Sequence, residues 1–359
     1  MILENNITEI KDRLYEYKNT IAGKTFLITG GAGFLGKNIV WTLQKFNEEL
    51  DNKCKILVMD NYITGLENQF KMDENITCLK QDVADKFIVR GNVDYILHAA
   101  GIASPIFYSK YKLETIHSSL QGTQNVLDLA IEKDTKSVLF FSTSEVYGCP
   151  PNDKVPTPES FNGNVSCIGP RAHYDEPKRM AETLCVTYAD VYGVNAKIVR
   201  PFNIYGPGMR LDDGRGLINI VKSAVLGEDL PIYGDGLSTR TWTYVTDGIV
   251  GFMKILFSDK IGQAFNVGIE DPEINNIDLA KKILDLSSSE SKLTLMDAPV
   301  EAYEKNFDVL RRCPDISKIR NELNFEPEVD LETGLIKTIE WIREVLWKKK
   351  IVGDVSQKN

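Results

Sequence analysis

Histidine is scarce in this chain of 359 residues: only His98, His117 and His173 occur. The six cysteines, Cys54, Cys78, Cys149, Cys167, Cys185 and Cys313, form no C-x-x-C pair and follow no framework spacing. So few soft ligands, with no H-E-x-x-H run, exclude a zinc centre from the expectation and favour reduced, structural thiols. Basic residues are in deficit as well. Forty-two Lys and Arg face 51 Asp and Glu, for a formal net charge of −9 and a pI near 5.1, so no global positive field exists to hold nucleic acid. No run approaches the ~18 apolar residues that a membrane-spanning helix needs, and Met1 to Thr8 is polar and acidic, unlike a signal peptide. The expectation is a cytoplasmic protein without metal, nucleic-acid or membrane partners, whose chemistry is organic or a cofactor's.

Core-forming material is ample. At 43% hydrophobic, a chain of this length supports one large or two modest domains. Apolar runs of strand length stand at Thr25–Thr29, Lys55–Met59, Ile76–Lys80, Tyr95–Ala99, Ser137–Ser142 and Ala196–Arg200. Amphipathic helical stretches run from Leu113 to Ile131, near Asp175 to Tyr192 and near Glu332 to Trp347. Near-continuous apolar strands separated by helices imply an α/β fold with a doubly wound parallel sheet covered on both faces. Residues 1–23 place Ile7, Ile10, Leu14 and Tyr17 at helical spacing, which predicts an N-terminal helix packed on the body or on a partner subunit. After Pro201 the texture turns to Gly- and Pro-punctuated loops, as in Tyr205-Gly206-Pro207-Gly208 and Tyr233-Gly234-Asp235-Gly236, which suits a substrate-binding lobe.

The first strand runs directly into Gly30-Gly31-Ala32-Gly33-Phe34-Leu35-Gly36 and a helical pattern. Gly30 permits the tight turn, Gly33 lets backbone N–H groups approach a pyrophosphate, and Gly36 lets the helix sit close to the sheet. Asp60 ends the next strand, where a carboxylate binds adenosine ribose hydroxyls and repels a 2′-phosphate, so NAD is favoured over NADP. Phe34, Leu35, Asn61, Asp82, Val83, Ala99 and Ala100 complete the expected cofactor contacts. His98, at the end of the fourth strand, is open to a packing or a ligand role. The expected organisation is an N-terminal extension over 1–23 and a Rossmann-type NAD-binding domain over 24–202 and 241–270. A smaller α/β substrate lobe over 203–240 and 271–350 and a tail over 351–359 follow.

The fifth strand ends in Ser142-Thr143-Ser144-Glu145-Val146-Tyr147-Gly148, and Tyr174 precedes Lys178 by four residues. An i, i+4 pair shares one helix face, so the ammonium is expected to favour phenolate and draw the Tyr174 pKa from about 10 towards neutrality. Tyr174 is then a general base for a sugar hydroxyl, with Thr143 sharing the proton and Lys178 also reaching the cofactor ribose. Proline is tolerated in a helix's first turn, so Pro177 predicts a helix that starts at about Tyr174–Glu176.

These motifs resemble the extended short-chain dehydrogenase/reductase family of nucleotide-sugar enzymes, and within it the UDP-glucuronic acid decarboxylases, from about Lys24 to Leu346. Further carriers are Gly169-Pro170-Arg171-Ala172-His173-Tyr174-Asp175-Glu176-Pro177-Lys178-Arg179, Asp213-Gly214-Arg215, Thr239-Arg240 and Pro314-Asp315-Ile316. The chain departs from the decarboxylase pattern at Ser119, His173 and Pro177, and in Gly208-Met209-Arg210. The resemblance implies a nucleotide-sugar substrate, held by Ser104, Glu145, Asn203, Arg215, Tyr233, Arg240 and Arg312, and a homodimer joined through the two long helices. Ser144-Glu145 stands where related dehydratases carry an Asp–Glu pair, which favours decarboxylation. It implies C4 oxidation, loss of carbon dioxide with Glu145 or a water reprotonating C5, and return of hydride to C4. A 4-epimerase or 4-dehydrogenase is the alternative, and a non-catalytic dinucleotide-binding protein the remoter one.

Overall fold

The computed structural model describes residues 1–297 and 309–356. Residues 298–308 of the expected second lobe and 357–359 of the expected tail lie outside them. Seven strands form the main sheet: β1 (Thr25–Thr29), β2 (Lys55–Asp60), β3 (Ile76–Lys80), β4 (Tyr95–His98), β5 (Ser137–Phe141), β6 (Ala196–Pro201) and β7 (Ala264–Val267). Their order is β7-β6-β5-β4-β1-β2-β3, and every pairing is parallel. Alternation along each strand assigns its side chains to opposite faces. Phe26, Ile28, Leu97, Leu139 and Phe141 enter one core, and Leu27, Ile96, Val138 and Phe140 the other.

The second face is covered by two long helices, α3 (Lys112–Glu132) and α4 (Ala172–Tyr192). Gly122 allows α3 to lie against the chain beyond β3, because a Cβ there would stand 2.7 Å from Val83 Cγ1. Gly193 ends α4 in the left-handed conformation, φ 70°, which leaves the last carbonyls free to accept from its own and the following N–H. Helix α4 starts two residues before the expected range, and Pro177 falls in its second turn rather than its first. Pro177 removes the bond to the His173 carbonyl. The helix persists because Tyr174 and Asp175 donate to the Arg171 carbonyl at 2.8 and 3.0 Å ahead of the proline, and Tyr174, Pro177, Lys178 and Ala181 are buried together.

On the other face lie α1 (Ile2–Arg13), α2 (Phe34–Asn47) and α5 (Val245–Phe257). The N-terminal segment packs on the body. Ile7, Ile10 and Leu14 enter the large core, Asn6 Nδ2 donates to Tyr244 Oη at 2.8 Å, and Arg13 pairs with the buried Asp247 at 2.7 Å. The helical pattern breaks at Leu14 into a short 3-10 turn, and Tyr17 stacks on Phe257 at 4.9 Å. Beyond β6 the chain builds small sheets of strands two to four residues long. Thr239–Arg240 pairs with both Ile274–Asn275 and Arg311–Arg312.

Candidate active site

The carboxyl ends of β1, β2 and β4 are level, with Thr29 opposite both Met59 and His98. Strand order reverses here, the place where open α/β sheets leave a crevice. A cavity of about 1000 Å³ opens at this edge, and every residue singled out above for cofactor, substrate or proton transfer lines it.

At one end the wall is backbone. Gly30 adopts φ 66° and donates its N–H to the Met59 carbonyl at 2.7 Å. A Cβ on Gly30 would lie 2.6 Å from Ala100 Cα, and one on Gly36 would lie 2.4 Å from the Gly30 oxygen. Gly33 caps α2, so the N–H groups of the first turn, from Phe34 on, have no helical carbonyl to bond. Asp60 accepts from the Ala32 and Tyr62 N–H groups at 3.0 and 2.8 Å, and burial raises its pKa against those bonds. Asn61 Nδ2 donates to Asp82 at 2.7 Å, which ties the ends of β2 and β3 together. His98 is a packing residue. It bridges Thr29 Oγ1 at 2.7 Å and Thr123 Oγ1 at 3.1 Å, and burial followed by Lys178 lowers its pKa to about 3.

In the middle, Thr143 leaves β5 and caps the turn Ser144–Tyr147, accepting the Glu145 N–H at 3.2 Å while its side chain hydrogen-bonds Tyr174. Tyr174 stacks on Tyr108 at 4.9 Å. Lys178 lies one turn along α4 and donates to the Phe141 carbonyl at 2.7 Å. The expected depression of the Tyr174 pKa is not met. Burial raises it to about 12 against the Thr143 bond, and burial lowers Lys178 itself to about 8. Desolvation of both groups outweighs their shared helix face, and the ammonium is directed at a backbone carbonyl.

At the far end the wall is charged. Glu145 Oε2 accepts from Arg171 Nη2 and Arg312 Nη2, each at 2.6 Å. Burial acts to raise the Glu145 pKa, but Arg171, Arg312 and Arg240 outweigh it and hold the carboxyl below its ordinary value. Arg171 belongs to the motif Gly169–Arg179 without an expected role of its own, and its place one helical turn before Tyr174 is the signal that marks it. Asp175 lies 3.5 Å from Arg171 Nη2, and burial above all pushes its pKa up to about 7. Arg215 pairs with Asp213 at 2.8 Å, Ser104 Oγ donates to the Asp213 carbonyl, and Asn203 Nδ2 donates to the Thr241 carbonyl at 2.9 Å. Arg240 lies in register with Arg312 on the adjacent strand, and Tyr233 ends the strand Leu230–Tyr233. Arg210 instead pairs with Asp212 at 2.6 Å, and Arg311 with Glu273 at 2.6 Å.

Residues 26–268 match the model of the NAD dependent epimerase/dehydratase family. The chain belongs to that family. It is 37% identical over 312 residues to UDP-glucuronic acid decarboxylase 6 of Arabidopsis thaliana, covering 86% of each chain. It is 36% identical to UDP-glucuronic acid decarboxylase 1 of Xenopus tropicalis, over 90% of this chain and 73% of that one. The fold is shared with UDP-glucose 4-epimerase of Thermotoga maritima at a TM-score of 0.79 and 24% identity, covering 90% of this chain and 99% of the other.

The cofactor of this NAD dependent epimerase/dehydratase is NAD, and the residues present fit it. The space a Cβ would fill at Gly30 and Gly36 is closed to side chains, the first turn of α2 offers unbonded N–H groups to a pyrophosphate, and Asp60 faces the same cradle. Among the described residues no Lys or Arg pairs with Asp60, and Lys80, opposite it on the next strand, pairs with Glu67 at 3.0 Å.

Proposed function

We propose that the protein is a UDP-glucuronate decarboxylase that oxidises C4 of the sugar, releases C6 as carbon dioxide and re-reduces C4 to give UDP-xylose. The observation that carries the reading is the Glu145 carboxylate held between Arg171 and Arg312 in the same cavity as the Thr143–Tyr174 pair. The two decarboxylases named above support it, with 36–37% identity across most of the chain.

Tyr174 takes the C4 hydroxyl proton, and Thr143 holds that hydroxyl and the phenol in line. Because burial disfavours phenolate, Lys178 must face Tyr174 in the working complex. Held at the Gly30–Gly36 turn and Asp60, NAD would supply the acceptor and later the donor of the C4 hydride, so that the overall reaction involves no net oxidation. A C4 ketone stands β to the C6 carboxylate, so the C5–C6 bonding pair passes into an enolate as carbon dioxide leaves, and C5 then gains a proton. Arg171 and Arg312 are the cations that a C6 carboxylate recruits. As they turn to it, Glu145 loses the charges that keep it ionised, its burial then favours uptake of a solvent proton, the one that decarboxylation of a carboxylate consumes, and it can hand that proton to C5.

The deciding experiment incubates the pure protein with UDP-glucuronate and NAD and follows products by NMR. A UDP-pentose with release of carbon dioxide is expected. UDP-galacturonate would replace this reading with a 4-epimerase, lasting NADH accumulation with a 4-dehydrogenase, and NAD binding without turnover with a non-catalytic protein.

The protein also acts, in this reading, as a homodimer joined across α3 and α4. These helices leave Leu113, Met180, Val186, Val191 and Tyr192 exposed, a density of apolar side chains that favours a covering partner. Sedimentation at twice the chain mass of 40.4 kDa is expected; a monomer at micromolar concentration would overturn it.

A further inference from the structure

Lys37 follows Gly36 in the opening turns of α2. It lines the cavity and is only 5% exposed. Among the described residues its ammonium has no hydrogen-bond acceptor and no ion-pair partner. Its surroundings are the Trp41 ring at 5.6 Å, the like charge of Arg210, and Asp213, which is already paired with Arg215. Burial, then Arg210, lowers its pKa to about 8, which leaves it mainly charged at neutral pH.

A lysine buried for structural reasons looks different in this same chain. Lys197 donates to Ser137 Oγ at 2.8 Å and to the Leu256 carbonyl at 3.4 Å. An ammonium largely withdrawn from water and facing the cavity without such partners is stabilised when an anion arrives. The fold nevertheless keeps room for it: a Cβ on Gly208, at φ 99°, would stand 3.4 Å from Lys37 Cε and 2.9 Å from Asn38 Nδ2. Helical side chains lean towards the N-terminus of their helix, and in the turn N-terminal to Lys37 the N–H groups of Phe34, Leu35 and Gly36 are open, while that of Gly33 donates to the Gly30 carbonyl at 3.0 Å.

We propose that Lys37 binds pyrophosphate: its ammonium meets the diphosphate of the dinucleotide at the open N-terminus of α2, adding a side-chain cation to a cradle otherwise made of backbone. The proposal rests on NAD occupying the cradle and is independent of which sugar is the substrate. A bond from an ammonium to a phosphate oxygen is charge-assisted and belongs to the stronger class.

The test is calorimetric titration of the nucleotide-free full chain with ADP-ribose, adenosine and UDP, for the native protein, Lys37→Met and Lys37→Arg. Lys37→Met is expected to weaken ADP-ribose at least about tenfold with adenosine and UDP unchanged, and Lys37→Arg to recover much of the loss. The melting temperature of nucleotide-free Lys37→Met is expected at or above the native value, because the ammonium gives up no hydrogen bond or ion pair and the methionine can keep an apolar contact with the Trp41 ring. Unchanged ADP-ribose affinity, equal weakening of adenosine, or a loss confined to UDP would each overturn the proposal. A native chain that binds ADP-ribose but releases no carbon dioxide from UDP-glucuronate overturns the decarboxylase reading alone.

Discussion

Between Gly30 and Gly36 the cavity wall offers unbonded backbone N–H groups and excludes side chains by close approach, whereas around Glu145 it consists of guanidinium and carboxylate groups that neutralise one another. The backbone end is built by one contiguous segment. The charged end needs Arg171 from α4 and Arg312 from a short strand 167 positions beyond Glu145. A ligand at the first end fills hydrogen bonds that are open, while a ligand at the second must displace partners already in place. Tyr174 stands between the two, buried and raised to about 12.

The sharpest way to separate the ends is to silence what lies between them. Tyr174→Phe is expected to lower turnover by about 10²–10⁴-fold while NAD and UDP still bind with native affinity, measured by product NMR and by titration. Near-normal turnover would remove Tyr174 from proton transfer.

A smaller effect, confined to the backbone end, is expected from Gly36→Val. Its Cβ starts 2.4 Å from the Gly30 oxygen, and overpacking of this kind costs about 1–3 kcal/mol, or roughly 5- to 150-fold in NAD affinity. UDP affinity should hold. Loss of both ligands together would mean that the two ends are not separable.

The smallest effect, at the charged end, is expected from Arg312→Met. With one guanidinium gone, burial gains on the remaining pair and the Glu145 pKa rises. A carboxyl depressed in the native state adds stability that is present above its unfolded pKa and lost as pH falls through its folded pKa. Raising the folded pKa therefore moves that loss to higher pH. The acid-unfolding midpoint, followed by circular dichroism, should shift upward, and an unchanged midpoint would show that Arg171 alone holds the charge.

The backbone end was legible in the sequence for a physical reason. Glycines that avoid a steric clash act within six residues of one another, and the runs at Phe26–Ile28 and Val138–Phe141 are apolar on both sides because both sheet faces are covered. The two-residue strands at Thr239–Arg240 and Arg311–Arg312 carry no such period, so nothing local announces that Arg312 meets Glu145. The Tyr174–Lys178 spacing correctly put two residues on one helix face, but spacing carries no measure of burial, and burial decides their charge. Nothing local marks Lys37, because a lysine after a glycine motif reads as surface until its exposure is known.

The helix Ile2–Arg13 has a consequence in time. Its partners, Tyr244 and Asp247, follow it by 238 and 234 positions, and at roughly 5–20 residues per second the ribosome supplies them about 10–50 s later. Until then Ile7, Ile10 and Leu14 have only part of their core to enter, so a segment made well before its partners settles only after them. For that interval the nascent chain carries an apolar stripe that the helix Phe34–Asn47 covers only in part.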